Sequence, residues 1–265
     1  GSVYTLTLGS GFFQDLNLFK LLGSPAGAVT ANLVVPAGTT INASSTRTYG
    51  IDTSGFASGS TINLTINGDV DGCGGDGGDG GSICIDHTGD DIGFRAAARV
   101  GKAGGNAIKG PGSGRTLNIL GAGRVRGGGG GGAGGGGSCH NKSGLQAGGG
   151  GGGGGAGGGR PGRGGNLNIR EAETATAADG QEGSRGSDGT YGTAGAGAQS
   201  GGQALGGAGG AGGDWGTAGA AGTYPTLYDW DITARAGGAA GKAIDVNSGT
   251  VVTAAFTGTI SGAVS

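Results

Sequence analysis

Few side chains in this chain are able to do chemistry, and their spacing argues against most of it. The two histidines stand beside other reactive groups, His87 next to Asp86 and His140 next to Cys139. Neighbouring Cys and His do not make a nucleophilic dyad, because thiolate and base must meet across space. Cys73, Cys84 and Cys139, together with those histidines, match no zinc-ligand spacing. Three cysteines make no disulfide framework; they read as reduced thiols, though Cys73 and Cys84 could pair if their strands were adjacent. Glycoside cleavage needs two facing carboxylates. Glu171, Glu173 and Asp179 are available, and nothing in their spacing favours them. Phosphate-loop patterns arise here from glycine content alone, and none joins a strand to a helix with a following lysine. Asp76 and Asp79 lack the calcium-repeat pattern and are expected to face water. The expectation is a non-enzyme with no catalytic residue, no metal and no cofactor.

The bulky side chains beyond residue 70 point to binding instead. They fall at breaks between glycine tracts: His140, Asn141 and Lys142 in one, then Tyr191, Trp215, and Tyr224, Tyr228 and Trp230 in an aromatic-dense stretch. Tyr and Trp dominate binding hot spots, and loops on a rigid scaffold are a common recognition device. These eight residues are the candidate binding contacts. Tyr224, Tyr228 and Trp230 could equally form a small core that closes a sheet end.

What would hold such loops is the glycine. The chain has 76 Gly in 265 residues, far above the usual roughly 7%, and each costs backbone entropy on folding. The tracts keep a period of three: Gly-Gly-X over 74–81, then glycines at 183, 186, 189, 192 and 195, and at 207, 210, 213, 216, 219 and 222. A left-handed extended helix has three residues per turn and no internal hydrogen bonds. Glycine along one edge lets neighbouring rods approach until N–H groups reach carbonyls next door. The fold class expected is therefore non-regular: a bundle or sandwich of polyglycine-II helices with short β-strands and an N-terminal β/α cap. Collagen is disfavoured, since only 5 prolines are present where a triple helix needs many.

Between the tracts, alternating apolar and polar residues mark strands. The stretch from Ser60 through Ile62, Leu64 and Ile66 to Gly72 is echoed from Arg115 to Gly127, briefly at Asn166–Ile169, and from Thr250 to Gly262. Asn106-Ala107-Ile108-Lys109 is matched by Lys242-Ala243-Ile244-Asp245. The recurrence predicts a repeated unit stacked side by side. In the opening, Val3–Leu8 and Val29–Val35 predict strands, and Phe12, Phe13, Leu16, Phe19 and Leu22 predict a short helix capped by Ser10. The expected domains are a cap or attachment module over 1–71 and the glycine-rich sandwich over 72–265.

Charge excludes other classes. Charged residues make up 13% and the formal net charge is −2, which suits neither a nucleic-acid clamp nor a highly charged disordered chain. No apolar run reaches the roughly 18 residues of a membrane span.

On these residues the chain resembles the glycine-rich receptor-binding tips of tailed-bacteriophage tail fibres, similar in plan to the long-tail-fibre tip adhesins of T-even phages. The likeness covers 59–265 through the tracts at 72–81, 127–137, 147–159, 180–195 and 206–222. It extends to Leu16-Asn17-Leu18 ahead of Val29–Ile41 and then Asn67-Gly68. The resemblance implies a virion protein made in the bacterial cytoplasm, attached to a tail-fibre shaft or tail-tip protein. It would be a monomer on a trimeric shaft or a homotrimer, and would bind a host outer-membrane protein or surface glycan through its loops. Two rivals stand beside it: an ice-binding polyglycine-II protein, and a bacterial Gly/Ala-rich surface protein.

Overall fold

The computed structural model describes residues 1–85, 92–140, 145–147, 149–163, 177–178, 192, 199–200, 204–223, 230–231 and 235–265. Two compact units divide the chain. One comprises Gly1–Cys73, Gly105–Gly128 and Gly241–Ser265; the other comprises Gly74–Gly104 and Gly129–Ala240.

The first unit is a parallel β-solenoid with three sheets. Its first sheet stacks Ser2–Thr7, Val29–Val35, Thr61–Ile66, Thr116–Leu120 and Thr250–Val252. The second stacks Gly11–Gln14, Thr39–Asn42, Asp69–Asp71, Arg124–Arg126 and Thr259–Ser261. The third stacks Leu16–Asn17, Ile51–Asp52, Ile108–Lys109 and Ile244–Asp245, with Val264 bridging to Ile244. Each circuit of the chain adds one rung. Rungs three and four are interrupted at the same corner, between the second and third sheets, by the residues of the other unit.

Period-two alternation explains the register. In Thr61–Ile66, exposure alternates residue by residue, with Ile62, Leu64 and Ile66 fully buried. In-register pairing stacks like on like: Ala31, Ile62, Leu117 and Val251 in one row, Leu33, Leu64 and Ile119 in the next. Ile51, Ile108 and Ile244 form a row on the third sheet. A slip of one residue would turn every apolar side chain to water, and each buried Leu or Ile stabilises by about 1.5–3 kcal/mol. On the outer face, an amide ladder locks the same register. Asn118 Nδ2 donates to Asn63 Oδ1 at 2.7 Å, and Asn63 Nδ2 to Asn32 Oδ1 at 2.7 Å. Between the first and second sheets the corners touch backbone to backbone. A Cβ on Gly68 would lie 2.2 Å from the Thr39 carbonyl oxygen, and one on Gly123 would lie 2.1 Å from that of Gly68.

Two expectations change here. The helix foreseen over Phe12–Leu22 shrinks to Leu18–Leu21, capped by the Asn17 side chain rather than Ser10. Gly11–Gln14 and Leu16–Asn17 are strands, because they complete rung one against Thr39–Asn42 and Ile51–Asp52. The solenoid also does not end at residue 71. Residues 105–128 and 241–265 rejoin it as rungs, so the region assigned to 72–265 is split between the units.

In the second unit, backbone hydrogen bonds recur at every third residue. Gly129, Gly132 and Gly135 donate to Ala156, Gly153 and Gly150, and accept from Gly75, Gly78 and Gly81. Gly130, Ala133 and Gly136 donate to Thr217, Ala220 and Thr223, and accept from Gly213, Gly210 and Gly207. Gly131 and Gly134 donate to Lys102 and Arg99, and Gly131 accepts from Gly238. The tract 129–136 is thus bonded to neighbours in six directions and is wholly buried. A Cβ on Gly132 would sit 1.9 Å from the Gly210 carbonyl oxygen. A near-pure glycine tract takes this central position because no other residue leaves six backbones room to meet.

Candidate functional site

The hydrogen-bond register gives the rods of the second unit their directions. Gly207 pairs level with Gly136, and Gly213 level with Gly130, so 207–213 runs opposite to 129–136. The next rod, 217–223, runs back, with Thr217 level with Gly130 and Thr223 level with Gly136. Gly81 pairs with Gly135, and Gly149 with Gly81. The segments that follow Gly81, Gly137 and Thr223 therefore leave the rods at one end.

At that end, strands pair across long sequence distances. Ser138–His140 sits between Leu145–Ala147 and Trp230–Asp231, both antiparallel to it, and Leu145–Ala147 also pairs with Ala177–Ala178. The Cys139 backbone faces Gln146 on one side and Trp230 on the other. His140 and Trp230, far apart in sequence, therefore share one sheet. Asn141, Lys142, Tyr191, Tyr224 and Tyr228 lie outside the described residues, as do His87, Glu171, Glu173, Asp179 and most of the tract 180–195.

Trp215 is placed differently. It occupies the turn Asp214–Thr217, where the Thr217 amide donates to the Asp214 carbonyl at 3.0 Å and Gly216 takes φ +64°. This turn lies at the Gly130 end of the rods. Six residues of the rod separate it from the Gly136 level. Trp215 is only 9% exposed, so its ring packs instead of standing out. Gly192, beside Tyr191 in sequence, is bonded to Gly154 and Gly212, near the level of that same turn.

The sequence reading overlooked a charged face on the rods. Asp76 and Asp79 reach water, with side chains 35% and 42% exposed, but each is also held by a cation. Lys102 Nζ lies 2.9 Å from Asp76 Oδ2, and Arg99 Nε lies 3.8 Å from Asp79 Oδ2. From the other side the Arg160 amide donates to Asp76 Oδ1 at 3.1 Å and the Arg163 amide to Asp79 Oδ1 at 2.9 Å. Burial pushes the Asp76 carboxyl up, but the Lys102 and Arg160 hydrogen bonds and charges outweigh it and hold it below the usual range. The spacing of three between Arg99 and Lys102, and between Arg160 and Arg163, is the signal that could have revealed this face.

At the rung-one end of the solenoid, a groove of about 450 Å³ is lined by Leu8, Phe13, Gln14, Leu16, Asn17, Lys20 and Leu21. Val3, Phe12 and Leu21 are 66%, 57% and 51% exposed. Among the described residues, no group of three or more His, Cys, Asp or Glu could hold a metal ion. Nor, among them, is any helix long and apolar enough to cross a membrane.

A family model described as phage tail fibre adhesin Gp38 matches residues 4–265. No curated protein matches the chain. Among solved structures, the gp37–gp38 adhesin tip complex of the bacteriophage S16 long tail fibre is similar, with a TM-score of 0.55 and 21% identity over 100% of this chain and 82% of that one. At that identity the likeness concerns the fold.

Proposed function

The chain belongs to the phage tail fibre adhesin Gp38 family, and from that premise we propose that it is a non-enzymatic host-recognition tip acting through loops carried on polyglycine-II helices. The observation that carries this reading is the common end at which segments leave the rods after Gly81, Gly137 and Thr223. Rods bonded to neighbours in several directions form a stiff platform, which lowers the ordering cost of loops that bind. The contact surface in this reading comprises His140, Asn141, Lys142, Tyr224, Tyr228 and Trp230. Trp215 stays out of it, being packed at the opposite turn, and Tyr191 is kept as a further candidate contact.

The receptor is an outer-membrane protein or a surface glycan of the host. The partner on the phage side is the tail-fibre shaft, in keeping with the complex in which the S16 relative was solved. We assign the docking face to rung one. Its three strands, Ser2–Thr7, Gly11–Gln14 and Leu16–Asn17, are the outermost of their sheets, with Val3, Phe12 and Leu21 exposed beside them. Three strand edges suit a shaft of three chains, with one copy of this protein at its end on the virion. The reading requires no cofactor, nucleic acid or membrane insertion.

The test is saturable binding of the purified, labelled protein to a panel of Gram-negative strains, before and after surface proteolysis. Binding to a narrow set of strains supports the reading, and protease sensitivity selects a protein receptor over a glycan. Absence of binding to every strain would refute it.

A further inference from the structure

In the solenoid, ion pairs balance one to one: Arg124 with Asp69 and Arg126 with Asp71. On the rods the ratio is two to one. Asp76 lies between Lys102 and Arg160, and Asp79 between Arg99 and Arg163. Both oxygens of each carboxylate are occupied, one by a cation and one by a backbone amide. Arg160 and Arg163 offer only their amides to these carboxylates, and both residues are exposed. Among the described residues, no carboxylate lies within ion-pair distance of either guanidinium. Arg99 and Lys102 side chains are 75% and 70% exposed.

Geometry sharpens the charge. Residues three apart on an extended rod of about 3.1 Å rise stand about 9 Å apart on one side of it. Arg99 and Lys102 form one such pair, and Arg160 and Arg163 another on a second rod, with the rod of Asp76 and Asp79 between them. The result, among the described residues, is four cationic side chains around two carboxylates, a local surplus of two positive charges in a chain whose formal net charge is −2. Guanidinium groups match phosphate and carboxylate oxygens in a planar fork.

We propose that this face binds an anionic saccharide of the bacterial surface carrying two or more phosphate or carboxylate groups about 9 Å apart, as a contact separate from the loop surface. This rests on the reading of the chain as an adhesin. A cationic flank concentrates the tip at an anionic cell envelope and raises the encounter rate before the loops engage. The side-by-side rods supply what a flexible basic tail would not, a fixed spacing.

The test uses the full chain and vesicles of neutral phospholipid carrying purified rough-type lipopolysaccharide with a phosphorylated core. The control vesicles carry the same lipopolysaccharide after dephosphorylation, or phosphatidylglycerol at matched charge. The native protein should bind the phosphorylated vesicles and lose that binding as salt rises from about 50 mM to about 300 mM, where screening shortens the reach of charge. The double variant Arg160→Ser, Arg163→Ser should bind about tenfold more weakly, whereas Arg160→Lys, Arg163→Lys should keep most binding. Arg47→Asp makes the same change in net charge at an exposed residue elsewhere and should leave binding unaltered. Salt-independent binding, an equal loss in the Arg47 variant, or equal binding to the dephosphorylated or phosphatidylglycerol vesicles would each overturn the proposal. These vesicles contain no receptor protein, so failure here leaves strain-specific binding to cells as a separate result.

Discussion

Arg126 grips Asp71 in a two-point ion pair, Nε to Oδ1 at 2.7 Å and Nη2 to Oδ2 at 2.8 Å, with both residues buried. Each stands directly before a glycine, Gly72 or Gly127, beyond which its rung is interrupted. The pair therefore ties together the two points where the chain leaves the second sheet.

Removing one partner should be costly. Arg126→Ala strands a buried carboxylate and should destabilise the protein by about 3–5 kcal/mol, whereas replacing both residues with apolar ones of similar size should cost far less. Denaturant unfolding of the single and paired variants measures the difference. Equal losses in both would show that the pair is not acting as a unit.

The same carboxyl should leave a mark on pH dependence. Burial pushes Asp71 up to about 6, against the pull of Arg126. A group whose folded pKa exceeds its unfolded value binds its proton more tightly when folded. Its stabilisation is fully present below about pH 4 and is lost as pH rises through about 6. Asp71→Asn should flatten that part of the stability profile between those limits. A profile identical to the native one would contradict the assignment.

The central rod should not tolerate a side chain. Gly132→Ala places its Cβ against the Gly210 carbonyl, and forced overpacking typically costs about 1–3 kcal/mol. Gly27→Ala is the matched control, because a Cβ there meets nothing within 4 Å. Thermal unfolding should separate the two, and equal melting temperatures would argue against tight packing between the rods.

Two tryptophans should fail in different ways. Trp230→Ala should weaken binding to host cells by about tenfold or more while leaving the melting temperature unchanged, as a hot-spot residue would. Trp215→Ala should instead lower stability by about 3–5 kcal/mol, since the ring is packed. Loss of cell binding by a fully stable Trp215→Ala protein would move the contact surface to the opposite turn.

Attachment should depend on the rung-one end. Phe12→Asp changes a side chain that is 57% exposed, so folding should survive. Assembly with the tail-fibre shaft, read as co-purification with it, should be lost. Normal assembly would place the docking face elsewhere.

Much of this was legible in the residues themselves. Alternation of apolar and polar side chains located the strands from Thr61, Thr116 and Thr250, because in a strand successive side chains point to opposite faces. A glycine at every third position marked tracts whose backbone hydrogen bonds to their neighbours also recur at every third residue. The likeness between Asn106–Lys109 and Lys242–Asp245 even marked two strands that pair as neighbours on the third sheet.

Tertiary structure alone decided the rest. Phe12, Leu16 and Phe19 have helical spacing, but the edges of Thr39–Asn42 and Ile51–Asp52 offered hydrogen bonds that a helix over the same residues would have left unmade. The return of 105–128 and 241–265 as rungs depended on pairing with strands more than fifty residues away. Above all, the sequence does not say which rods are neighbours or which way each one runs. Glycine has no side chain with which to name a partner, and the backbone bond between one pair of rods is the same as between any other. Their order, and with it the separation of Trp215 from Trp230, emerges only in the register of backbone hydrogen bonds between the rods.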